Sequence, residues 1–89
     1  MINLNIFIIE RYINKLTKND IYKYSLKEGI SLTDKELNII YYYIKNYYKP
    51  FLNGHDKEII NELKTKLTIN TQNKIDELYN LYKTKFNIK

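Results

Sequence analysis

The chain has 89 residues, ten of them tyrosine, and its formal net charge is +5 with a pI near 9.3. A chain of this length is expected to fold as one domain and to bury roughly 60–65% of the surface that the unfolded chain exposes. It has no cysteine, which excludes disulfides and thiolate metal sites, and its single histidine leaves few ligands for zinc.

The positive charge favours an anionic partner, but the composition weakens that interpretation. The chain is rich in Ile, Lys, Asn and Tyr, lacks Ala and Val, and has one arginine, as an AT-rich genome would produce. Lysine also lacks the bidentate fork with which arginine binds phosphate and guanine. The charge alone therefore predicts no nucleic-acid site.

A short apolar run near the start, residues 6–9, is the one segment that resembles a targeting signal. No Lys or Arg precedes it, and Glu10 and Arg11 end it after four residues. It is too short and wrongly flanked for a signal peptide or a membrane span. We expect a cytoplasmic protein without membrane association.

The first two predicted helices cover residues 3–15 and 18–28. Apolar residues recur at helical spacing through the first. Thr17 followed by Asp20 has the pattern of a capping box and predicts the start of the second helix. Gly29 can adopt the left-handed conformation that ends it.

The third predicted helix, residues 34–48, is expected to lie at the centre of the fold. Thr33 and Glu36 form a second capping-box pattern at its start. Pro50 disfavours helical geometry in the residue before it and predicts the end of the helix near Lys49. One broad apolar face is predicted for this helix, formed by Leu37, Ile40, Tyr41, Ile44, Tyr47 and Tyr48.

Two more helices are predicted over residues 57–67 and 72–86. The break before them carries two large apolar residues, Phe51 and Leu52, which we expect to dock into the core, and Asp56 is the expected cap of the fourth helix. Ile2, Leu4 and Ile6 alternate like a strand, but no β-branched alternating run bounded by turns is present, so no sheet is predicted. The predicted fold is an all-α orthogonal bundle of about five short helices.

The order of these helix-boundary and core signals resembles a small uncharacterised family of short all-helical bacterial proteins, found mainly in low-GC Gram-positive lineages. The resemblance covers nearly the whole chain. It depends on Leu16-Thr17, on residues 21–29, on the link from Gly29 to Thr33, on Phe51-Leu52 and on residues 75–86. The family implies an all-helical cytosolic protein without known activity, and it supplies no functional residues.

No catalytic, metal or cofactor site is predicted. His55, Glu58 and Glu62 can share one helix face, but one histidine beside two carboxylates is the ordinary composition of a solvated helix start. The two glycines are too far apart for a phosphate-binding loop. We expect a protein that acts by binding and is not an enzyme.

A protein partner is the first expectation for function. Phe7, Ile39 and Tyr42 point away from the main apolar face of their own helices, and together they form the candidate partner surface. Packing against a second neighbouring helix is the alternative for these residues. The sequence leaves the partner's identity and the oligomeric state open.

A nucleic-acid partner, RNA or DNA, is the alternative expectation. The face of the central helix opposite its apolar stripe carries Asn38, Tyr42, Lys45 and Lys49, in which a tyrosine between lysines can stack on a base. The second and third helices also have the proportions of a helix-turn-helix. The acidic first turn of the third helix argues against that motif, because its carboxylates would approach the phosphates.

Overall fold

The computed structural model describes residues 6–86, with the side chains of residues 7–84. Five α-helices are present in this part of the chain: α1 (Ile6–Lys15), α2 (Lys18–Lys27), α3 (Asp34–Pro50), α4 (Asp56–Lys64) and α5 (Ile69–Phe86). Residues 6–86 contain no strand, so the predicted all-α fold is confirmed. Residues 3–5 of the first predicted helix lie outside the described residues.

Helix α3 lies at the centre of the bundle, as predicted. Helices α1, α2 and α4 pack against it, and α5 packs against α4. The buried apolar side chains come from α2, α3, α4 and the links that flank them, and they are Ile21, Leu32, Ile40, Tyr43, Leu63 and Leu67. These side chains form one core under the described helices.

Both predicted capping boxes are present. The Thr17 hydroxyl accepts from the backbone N–H of Asp20 at 3.1 Å, and the Asp20 carboxylate accepts from the N–H of Thr17 at 2.9 Å. The equivalent bonds join Thr33 and Glu36 at 3.1 and 3.3 Å. Each pair satisfies donors that a helix start leaves without intrahelical partners.

Helix α3 ends at Pro50, one residue beyond the predicted end near Lys49, but Pro50 does not end it in the way that was predicted. Pro50 keeps helical angles, with φ −62° and ψ −32°, and the N–H of Phe51 still bonds to the carbonyls of Tyr47 and Tyr48. Pro50 has no N–H to donate to the carbonyl of Asn46, so the helix includes it with one intrahelical hydrogen bond fewer. The chain bends instead at Gly54, whose φ of +101° lies in the region that favours glycine.

A wide helical turn, Phe51–His55, joins α3 directly to α4. Taken with this turn, the two helices form one kinked unit, so the described residues contain four separate helical units where the sequence predicted five. Asp56 is not the cap that was predicted, because it lies inside α4 and its carboxylate accepts a hydrogen bond from the Tyr79 hydroxyl.

The boundaries of α4 and α5 also differ from the prediction. Helix α4 runs from Asp56 to Lys64, whereas residues 57–67 were predicted, and α5 begins at Ile69 instead of residue 72. Thr68 is the residue before α5, and its carbonyl accepts the first helical hydrogen bond, from the N–H of Gln72 at 2.8 Å. The backbone N–H of Thr68 donates to the carboxylate of Glu36, a residue of α3 that lies 32 residues earlier in the sequence.

Candidate binding groove

An apolar concave surface, a groove of about 360 Å³, lies between α1 on one side and α4 and α5 on the other. We call it the apolar groove. It is lined by Ile9 and Ile13 of α1, by Tyr43, Ile44, Tyr47 and Tyr48 of α3, by Phe51 and Leu52 of the turn, by Ile59, Ile60 and Leu63 of α4, and by Tyr82 of α5. Pockets of a few hundred Å³ with apolar and aromatic walls are typical binding sites.

The base of the apolar groove is formed by α3 and by the turn that follows it. Its side chains stand in two rows at four-residue spacing, Tyr43 with Tyr47 and Phe51, and Ile44 with Tyr48 and Leu52. Eight helical steps of 1.5 Å make each row about 12 Å long. The groove thus exposes an apolar strip about two turns long to an incoming segment.

Tyrosine hydroxyls near the groove are paired with carboxylates. The Tyr48 hydroxyl donates to Glu10 at 2.9 Å and joins α3 to α1, and the Tyr79 hydroxyl donates to Asp56 and joins α5 to α4. Burial, with the hydrogen bond to Asp56, raises the pKa of Tyr79 to about 12. These pairs attach α1 and α5 to the bundle and hold the two sides of the groove in place.

Glu10 has a second partner, Lys49, whose ammonium lies 3.3 Å from its carboxylate. Hydrogen bonds from Tyr48 and Lys49 hold the pKa of Glu10 below its usual 4.5. Lys45 of α3 binds the C-terminal end of α1, because its ammonium donates to the carbonyls of Ile13 at 2.5 Å and Asn14 at 3.2 Å. A cation at a helix C-terminus satisfies carbonyls that lack intrahelical donors.

The predicted nucleic-acid surface is therefore largely occupied by internal contacts. Lys45 binds the end of α1, and Lys49 pairs with Glu10. Lys45 and Lys18 both lie over the ring of Tyr41, at 5.4 and 5.5 Å from its centroid, and not over Tyr42. Asn38 is exposed.

The predicted protein surface is only partly exposed. Phe7 is 72% exposed and Tyr42 is 55% exposed, but Ile39 packs against the core. The Tyr42 ring makes edge contacts with Tyr43 and Tyr47, at 6.0 and 6.1 Å between centroids. The three residues that were predicted together thus lie in different environments.

Glu36 is the buried charged group among the side chains that the structure describes, with 4% of its surface exposed. Its carboxylate accepts from the backbone N–H and the hydroxyl of Thr68, both at 2.9 Å. Burial alone would raise the pKa of Glu36, but hydrogen bonds from Thr68, Thr71 and Thr33 outweigh it and lower the pKa below 4.5. The Glu36 carboxylate therefore joins the start of α3 to the start of α5.

Neither a metal centre nor a membrane-spanning helix was found in the described part of the chain. No group of three or more His, Asp or Glu side chains there could hold a metal ion. His55 lies 3.6 Å from Glu58, with both side chains exposed. None of the helices within residues 6–86 is long and apolar enough to cross a bilayer.

No known protein family, curated protein or solved structure matches this chain. The resemblance to the bacterial family remains a prediction.

Proposed function

We propose that this chain is a small non-enzymatic adaptor, active in the cytoplasm, that binds an amphipathic helix of a partner protein in the apolar groove. The groove itself is the observation that carries the proposal. Its lining includes Phe51, Leu52 and Ile60, which are half-buried in the free chain. A partner that covers them removes apolar surface from water and so gains free energy.

The dimensions of the groove favour a helix over an extended peptide. Its base is an α-helix and its sides are helices, and the side-chain rows of α3 follow the four-residue ridges that another helix packs against at 8–10 Å. Residues 6–86 contain no β-strand, so they offer no strand edge to which an extended peptide could bind. A helix with apolar residues at positions i, i+3, i+4 and i+7 fits this surface.

The side chains at the groove support binding more than catalysis. The lining consists of Ile, Leu, Phe and Tyr, and it includes no carboxylate, imidazole or ammonium that could act as an acid or base. The Tyr48 hydroxyl at its edge already donates to Glu10.

We also propose that the chain belongs to the bacterial family that the helix-boundary signals resemble.

The test compares two matched variants in affinity capture from a lysate of the producing cells. Ile60→Gln places an amide in the groove, and Leu81→Gln makes the same change on the exposed surface of α5, outside the groove. We expect wild type and Leu81→Gln to retain the same protein after nuclease treatment and Ile60→Gln to lose it. Circular dichroism would establish that both variants are folded.

Two results would contradict the proposal. Equal retention by both variants would place the partner elsewhere, and capture of no protein after nuclease treatment would make nucleic acid the ligand. In the second case the chain would belong to the alternative functional class.

A further inference from the structure

A second surface, on the outer side of α1 and α2, combines exposed tyrosines with cations. Tyr12 is 66% exposed and Tyr24 is 53% exposed. Two shallow depressions meet at Tyr12 and Lys15: one of about 260 Å³ also contains Arg11, and one of about 410 Å³ also contains Lys23 and Tyr24. We call these five residues the tyrosine–cation surface.

The cations of this surface are available to a ligand. Arg11, Lys15 and Lys23 are exposed, and within the described residues none of them forms an ion pair. Asp20 is the one acid that lines the two depressions; its carboxylate accepts from the backbone N–H of Thr17 and attracts the ammonium of Lys23, so one acid stands against three cations. The surface therefore retains a positive charge, unlike the face of α3, where Lys45 and Lys49 have internal partners.

We propose that the tyrosine–cation surface binds single-stranded nucleic acid without sequence preference. Tyr12 and Tyr24 would each stack on a base, and Arg11, Lys15 and Lys23 would pair with phosphates. Every base offers a flat aromatic face, so stacking tolerates any sequence, and charge complementarity selects a polyanion. This surface is lined differently from the apolar groove, and the inference does not depend on the groove's partner.

A membrane surface is the other polyanion that cations and aromatic residues can bind. The depressions favour nucleic acid, because a separate base can enter a depression between cations, whereas an interfacial helix needs its apolar side chains outermost. The two partners are therefore distinguished by experiment: one arm uses an oligonucleotide and the other uses vesicles.

The oligonucleotide arm measures fluorescence anisotropy of labelled dT12 and rU12 with the full chain. We expect binding that weakens with salt, with a slope of about −2 in log K against log salt if three cations contact phosphates. Tyr12→Ala should weaken it roughly five- to 150-fold, and Tyr12→Phe should preserve it because the ring still stacks. Lys15→Gln should lower the salt slope by about 0.7.

Matched controls lie on other faces of the bundle. Tyr42→Ala removes an exposed tyrosine from the face of α3 that the sequence predicted to bind nucleic acid, so it separates that face from the tyrosine–cation surface, and Lys66→Gln removes an exposed lysine near the end of α4; neither should change the affinity. Three results would overturn the inference: no oligonucleotide binding at low salt, equal losses from Tyr12→Ala and Tyr42→Ala, or binding to vesicles with 30% phosphatidylglycerol but not to dT12 or rU12.

Discussion

The Glu36 carboxylate accepts two hydrogen bonds from Thr68, one from its backbone N–H and one from its hydroxyl, each at 2.9 Å. The same carboxylate accepts from the N–H of Thr33 at the start of its own helix. One buried side chain therefore caps two helices that are distant in sequence. This contact sets the position of α5 relative to α3, and α5 contributes Tyr82 to the apolar groove.

Glu36→Gln should destabilise the fold. The amide keeps the size of the side chain but loses the charge that strengthens its hydrogen bonds, and bonds to a charged group contribute about 1.5–3 kcal/mol. We expect the free energy of unfolding in urea to fall by about 2 kcal/mol. Asp34→Asn, an exposed change in the same helical turn, is the control and should cost about 0.5 kcal/mol.

The same pair predicts a loss of stability in acid. The pKa of Glu36 is lowered in the folded chain, so its contribution is complete above pH 4.5, the ordinary value, and is lost as the pH falls through the lower folded value. Glu36→Gln should therefore be less sensitive to pH below 4.5 than the wild type. An equally steep acid transition in both proteins would show that Glu36 is not a source of it.

Tyr79 predicts a loss of stability in alkali. Its pKa is raised from 10.0 to about 12, so the bond to Asp56 contributes fully below pH 10 and is lost as the pH rises through about 12. Tyr79→Phe should lower the free energy of unfolding by about 1–2 kcal/mol at pH 7. It should also reduce the decline of that free energy between pH 10 and 12. Thermal unfolding across this range measures both effects, with Tyr12→Phe at an exposed position as the control.

Lys45 is expected to hold α1 in place. Lys45→Met keeps the long apolar stem but removes the donor to the carbonyls of Ile13 and Asn14. Amide hydrogen exchange should become faster in α1 and remain unchanged in α2, because α1 loses one of its polar attachments and keeps those of Glu10 to Tyr48 and Lys49. Exchange that accelerates equally in α2 would indicate global destabilisation instead.

Ile40 and Ile44 lie one turn apart on α3, the first in the core and the second in the apolar groove. Ile40 is 8% exposed within the core, whereas Ile44 is half-buried and lines the groove. Ile40→Ala should cost about 2–5 kcal/mol because it leaves a cavity, and Ile44→Ala should cost less, about 1–2 kcal/mol. Urea unfolding of both variants measures the difference, and the reverse order would contradict the assignment of the groove.

The capping boxes and the central position of α3 could be predicted because both depend on local pattern. A Thr with an acid three residues later determines a helix start wherever the chain goes next. The burial of Glu36 could not be predicted in this way. Its acidic side chain was assigned to the first turn alone, because nothing local indicates that Thr68 lies beside it in the fold.

The sequence prediction also missed the start of α5 and the burial of Tyr43 in the core, because each depends on contacts with residues elsewhere in the fold. Residues 36, 40, 43 and 47 follow helical spacing, but a glutamate at the first position hides the stripe, so Tyr43 was left outside the predicted face. Lys45 and Lys49 were predicted to face solvent, and only the packing of α1 shows that they bind Ile13 and Glu10. Helical periodicity in a sequence does not reveal which side chains of different helices form a pair.

The most direct test of the central claim is photo-crosslinking from within the apolar groove. A photoreactive amino acid replaces Leu52 in the groove, and a control places it at Leu26, an exposed residue of α2. After irradiation in the producing cells, we expect the Leu52 position alone to crosslink to one protein, at a segment with apolar residues at helical spacing. The same crosslinks from both positions, or none from Leu52, would show that the groove does not bind a partner helix.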